Sequence, residues 1–174
     1  MGRSGRWWGY EQLAIEPDAF TLAKGLGGGH AIGALLVKNH ADIFEPGDHA
    51  STFGGNPFAC KAGLTVAQEI ERRNLLSKVQ QRSAQLVNGL EDLVKAYPNQ
   101  LKEVRGWGLL QGLVFQEEWE LNSNYFVRSA LDQHLLLVTA GPKVVRMLPP
   151  LIISAREIGE LLKRIKATMS ICCR

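Results

Sequence analysis

Thr21-Leu22-Ala23-Lys24-Gly25-Leu26-Gly27-Gly28-Gly29-His30-Ala31-Ile32-Gly33 sets one lysine between a short apolar run and a cluster of glycines. A lysine amine can attack a carbonyl and form an imine, which is how a chain anchors an aldehyde cofactor. Glycines beside it remove the Cβ atoms that would hold a flat ring away from the backbone. Spacing alone also admits an ordinary lysine at a strand end, followed by a flexible turn. Stricter templates fail here. A phosphate-binding P-loop needs its lysine after the glycines, and Lys24 precedes them. The dinucleotide fingerprint needs a glycine where His30 stands. Gly2-Arg3-Ser4-Gly5 would become a nucleophile elbow only with a glycine in place of Arg6.

Outward from this stretch, Ala19 to Ala23 reads as a short buried strand that delivers Lys24 to its end, and Ala34 to Val37 as a second strand. Residues 1–12 read as a glycine- and tryptophan-bearing loop. Glu45 to Asn56 is a long polar loop, and long loops in compact proteins are disproportionately functional. Asn56-Pro57 then opens a helix, with Asn as the cap and Pro at the first helical position. Its stripe of Ala59, Cys60, Gly63, Leu64, Ala67 and Ile70 suits close packing.

A second helix is expected from Leu75 to Tyr97, where Leu76, Val79, Leu86, Leu90 and Leu93 share a face. Strand signals follow around Leu109 to Phe115, Leu135 to Val138 and Val144 to Leu148, with a helix between at Asn124 to Gln133. Ser154-Ala155-Arg156-Glu157 has the spacing of a capping box and starts a last helix. Strands alternating with helices imply an α/β fold. Two lobes joined near residue 74 are the expected organisation: residues 1–74 and residues 75–174.

Composition narrows the function classes. The chain has 174 residues, 45% hydrophobic and 21% charged, within the ordinary globular range. A formal charge of +3 without a basic cluster interleaved with aromatics gives no case for nucleic acid. No apolar run approaches the roughly 18 residues of a membrane span, and MGRSGRWWGYEQ lacks an apolar signal core. Cys60, Cys172 and Cys173 form no metal spacing, and neither do His30, His40, His49 and His134. The adjacent cysteines read as exposed thiols, and a reducing cytoplasm suits the inventory.

Five motifs in order, GRSGRWWGYEQ, PDAFTLAKGLGGGHAIGA, STFGGNPFAC, VRGWGLLQG and VVRMLPPL, resemble the class-III aminotransferases over essentially the whole chain. The resemblance implies the fold type I architecture of pyridoxal-phosphate enzymes, here the end of the large cofactor domain plus the small C-terminal α/β domain. It implies that Lys24 is the Schiff-base lysine and the mover of the proton. It implies that Thr52, with Ser51 as the weaker candidate, binds the cofactor phosphate of a neighbouring subunit in a homodimer. Arg146 would be the fork for the α-carboxylate of the amino acid or of 2-oxoglutarate, a planar bidentate pairing. It stands among apolar neighbours, where an unpaired buried charge would be costly. Arg105 reads as structural, and His30 as a loop histidine.

The implied activity moves the side-chain amino group of N-acetylornithine to 2-oxoglutarate, in arginine biosynthesis. Members acting on ornithine, succinylornithine, 4-aminobutyrate or succinyl-diaminopimelate share these motifs. The aspartate that holds the pyridine nitrogen in this family, its phosphate-binding turn and its ring-stacking aromatic would lie upstream of Met1. A fragment of a longer enzyme, a start assigned too late, or an inert truncated chain are the expectations that follow.

Overall fold

The computed structural model describes residues 1–173, which fall into two compact units. One contains Met1–Gly2 and Arg6–Leu76, the other Arg3–Gly5 and the chain from Ser77 onward.

In the first unit, β1 (Ala19–Leu22) and β2 (Ala34–Val37) pair antiparallel, with Phe20 opposite Leu36 and Thr21 opposite Leu35. The expected strand is present but ends one residue before Ala23, and it is not buried. Its residues alternate between exposed and half-buried, because a two-stranded ribbon gives neither face a second layer. Trp8 and Tyr10 each pack on Phe20, with ring centroids 5.3 Å apart in both pairs.

α1 (Pro57–Arg72) begins as its sequence requires: Asn56 Oδ1 accepts the Ala59 N–H at 2.9 Å and Pro57 occupies the first turn. Ala59, Gly63 and Ile70 are buried, whereas Cys60 and Leu64 of the expected stripe are exposed. Gly63 is where α1 meets the glycine stretch: a Cβ there would lie 3.5 Å from the Leu26 carbonyl oxygen.

The second unit follows α2 (Leu75–Ala96) with β3 (Leu101–Trp107), β4 (Leu110–Phe115), α3 (Ser123–Asp132), β5 (Val138–Thr139), β6 (Val144–Met147) and α4 (Ala155–Cys172). The four strands form one sheet in the order β3-β4-β6-β5, antiparallel throughout. Alternation of helix and strand in the sequence therefore gives a mixed α/β unit without parallel strands. Leu135 to Leu137 precede the strand instead of forming it, and only Val138 and Thr139 pair with β6.

Strand residues alternate between two faces. Leu113, Val145, Phe115 and Met147 point to one of them. There they join Val79, Leu86 and Leu90 of α2, Phe126 of α3, and Ile158, Ile165 and Met169 of α4 in a single buried core. Burying each such side chain stabilises the fold by about 1.5–3 kcal/mol. Cys172 also departs from its expected exposure. It is half-buried at the edge of this core, and burial raises its thiol pKa despite a hydrogen bond with Ser129.

The capping box at α4 is complete. Ser154 Oγ accepts the Glu157 N–H at 3.2 Å, and Glu157 Oε2 accepts the Ser154 N–H at 2.7 Å. The Ser154 backbone hydrogen bond, then its hydroxyl, hold the Glu157 carboxyl below its ordinary pKa. A lowered folded-state value means that this contribution is present above the ordinary carboxylate value and is lost as the pH falls below it, through the lowered folded-state value. Ser154→Ala is expected to cost about 1 kcal/mol at neutral pH. The deficit should shrink in acid, as read by denaturant melts at the two pH values. A pH-independent deficit would mean the carboxylate takes no part.

Candidate functional site

Lys24 follows β1 directly and opens a 3-10 turn, Lys24–Gly27. Its backbone is left-handed at φ 55°, a region that a residue with a Cβ enters at a cost of about 1–2 kcal/mol. Strain of this kind collects at functional sites, where surrounding structure holds it in place. Here the extended Ala23 lies before it and the packed Gly27 after it: a Cβ on Gly27 would come within 2.8 Å of Ile32. The side chain is exposed and forms no ion pair or hydrogen bond among the described residues. A primary amine is thus offered free at a rigid turn, as covalent capture of an aldehyde requires.

Ser51 and Thr52 lie in the loop before α1, and the two hydroxyls differ. Ser51 Oγ accepts the Gly54 N–H at 2.9 Å and closes a local turn. Asn56 Nδ2 donates to the Phe53 carbonyl at 2.8 Å and fixes the loop onto the helix start. Thr52 is exposed, with no hydrogen bond to its hydroxyl among the described residues. The loop therefore presents one engaged and one free hydroxyl near the N-terminus of a 16-residue helix, a setting that suits a phosphate. Among the described residues no hydrogen bond joins either residue to Lys24.

Arg146 lies on β6 between buried Val145 and Met147 but is itself exposed. The expectation of a charge among apolar neighbours is corrected by strand geometry: alternation turns Arg146 to the face opposite the core. It has no carboxylate partner among the described residues. It borders a cavity of about 330 Å³ with Leu136, Val138, Leu148 and Pro150, and a second of about 220 Å³ with Arg105, Gly112 and Val144. Arg105, read as structural from the sequence, lies on the neighbouring strand β3. It pairs with Gly112, which in turn pairs with Arg146, so the two arginines stand level on one sheet face. The signal was present in the alternation of both strands, but pairing them required the register.

The residues from Met1 to Met169 match the family model described as aminotransferase class-III. Acetylornithine aminotransferase of Prochlorococcus marinus (strain MIT 9313) is 71% identical over 170 residues, which are 98% of this chain and 41% of that protein. The chain thus spans less than half the length of the curated relatives it matches. The crystal structure of N-acetylornithine aminotransferase from Stenotrophomonas maltophilia K279a superposes with a TM-score of 0.84 at 31% identity, covering 99% of this chain and 45% of that one. Ornithine delta-aminotransferase of Plasmodium falciparum superposes at 0.89 with 27% identity, covering 98% and 43%.

Proposed function

Since this chain belongs to the class-III aminotransferase family, we propose that it supplies the lysine and the carboxylate-binding half of a transaminase. That enzyme would carry the side-chain amino group of N-acetylornithine to 2-oxoglutarate, in arginine biosynthesis in the cytoplasm. The observation that carries the reading is Lys24 itself: an unpaired amine on a left-handed backbone at a strand end. Its local setting fits pyridoxal phosphate, and the free hydroxyl of Thr52 before α1 fits the phosphate.

Pyridoxal phosphate, when bound, supplies the electron sink that makes the substrate carbon acidic. Lys24 Nζ would hold the aldehyde carbon covalently and, as a free amine, would move the proton at the substrate carbon. Thr52 would donate its hydroxyl and backbone N–H to the phosphate of the neighbouring subunit, so that the homodimer would be the working unit; Ser51 shapes the turn that presents it. Arg146 orients substrate through its carboxylate by a bidentate, charge-assisted pair. In this reading, residues 1–74 complete the large cofactor domain and residues 75–174 form the small one.

The test uses the full-length protein loaded with pyridoxal phosphate, assayed for glutamate formed from 2-oxoglutarate. We expect kcat/KM to be highest with N-acetylornithine. It should exceed the values with ornithine, succinylornithine, 4-aminobutyrate and succinyl-diaminopimelate by about tenfold or more. A preference for one of those donors would replace the substrate, and no transfer from any of them would reject the activity.

A further inference from the structure

We propose that Arg105 is a second anion-binding residue, which brackets one substrate carboxylate together with Arg146 across the bare backbone of Gly112. That the carboxylate belongs to the substrate rests on the function proposed above; that an anion binds here rests on the sheet.

Arg105, Gly112 and Arg146 are successive partners on β3, β4 and β6. Directly paired residues point to the same side of a sheet. Both side chains therefore rise from the face opposite the helical core, and both are exposed. Two strand spacings put their Cα atoms about 9.6 Å apart. Two charge-assisted hydrogen bonds of about 2.8 Å, with one carboxylate between them, span most of that gap.

The residue between the arginines is the one that leaves the gap open. A Cβ on Gly112 would lie 3.1 Å from Val144 Cγ1 and 3.7 Å from Arg105 Cγ, crowding the stem of Arg105 and the floor between the two guanidinium groups. The cavity of about 220 Å³ lies over this floor, lined by both arginines with Gly106, Gln111 and Ala140.

Among the described residues no carboxylate neutralises the pair. Neither arginine forms an ion pair or side-chain hydrogen bond among the described residues, and Glu103, two positions along β3 on the same face, makes none with Arg105. The other exposed neighbours on this face are apolar: Trp107, Leu110, Val138 and Leu148. Two level guanidinium groups on an apolar rim, without an acidic partner, are arranged to receive an anion from outside the chain.

The test is calorimetric binding of glutarate to the full-length, cofactor-loaded protein. Glutarate carries carboxylates but no amino or oxo group, so it binds without turning over. Arg105→Gln is expected to weaken glutarate about tenfold or more, and Arg105→Lys to recover part of that loss. In the same variants KM for 2-oxoglutarate should rise while kcat stays within about twofold. Glutarate affinity within twofold of the parent in Arg105→Gln overturns the proposal. So does an equal loss in both variants accompanied by a lowered melting point, which is the mark of a structural residue. Loss of binding through Arg105 in a protein that transfers no amino group would reject the aminotransferase function and keep the anion site.

Discussion

Lys24→Ala in the full-length, cofactor-loaded protein is expected to lower the rate of amino transfer by at least about 10³-fold, since both covalent anchoring and proton transfer go with one amine. Borohydride should fix the cofactor onto the parent chain and leave none attached to the variant. The loss should come without unfolding. Lys24 is exposed and holds nothing by ion pair or hydrogen bond among the described residues, so truncation breaks neither kind of contact there. Its backbone lies at φ 55°, which alanine tolerates no better and no worse than lysine. Glycine there relieves the left-handed cost, so Lys24→Gly should be about 1 kcal/mol more stable than the parent while equally inactive. A residue whose removal strengthens the fold and ends the chemistry is one kept for function. Activity within tenfold of the parent in either variant would remove Lys24 from the mechanism.

A large effect on stability is expected at Gly108, between β3 and β4. Gly108→Ala should destabilise the second unit by about 3 kcal/mol or more. Its φ of 56° adds the left-handed penalty, and a Cβ would lie 2.2 Å from the Arg3 carbonyl oxygen and 2.6 Å from the Ser4 backbone. Backbone cannot rotate aside as a side chain would, and this one is held from several directions. The Leu109 N–H donates to that same Arg3 oxygen at 2.9 Å. Ser83 Oγ donates to the Gly108 carbonyl at 2.9 Å, and Gln111 Nε2 at 2.8 Å. Arg3 itself donates to the Pro149 carbonyl, and burial of its guanidinium lowers its pKa. The control is Gly159→Ala on α4, where nothing lies within 4 Å of the added Cβ. That change should stabilise by about 0.5–1 kcal/mol. Denaturant midpoints read both, and a Gly108→Ala shift no larger than 0.5 kcal/mol, about the scatter of an ordinary surface change, would show that the segment around Arg3 yields.

Motif order alone placed the chain in its family, and short-range chemistry placed its helices. Asn56-Pro57 and Ser154 to Glu157 cap helices in the structure because a cap is complete within four residues. The 3.6-residue period of α2 likewise named Val79, Leu86 and Leu90 as core. Lys24 was visible as a candidate amine, but its left-handed backbone was not.

Strand assignments were less secure. Leu135 to Leu137 is as apolar as any strand in the chain, yet only Val138 and Thr139 find a partner. Arg146 looked buried among hydrophobic neighbours and proved to face outward, and only the register set Arg105 level with it. The sequence by itself determined the helices and their caps, because those depend on residues a few positions apart. The tertiary structure alone decided which face each arginine takes and what stands beside it. Between β4 and β6 the register is fixed by distant partners, Gly112 with Arg146, and a slip of one residue would turn every side chain of a strand to the other face.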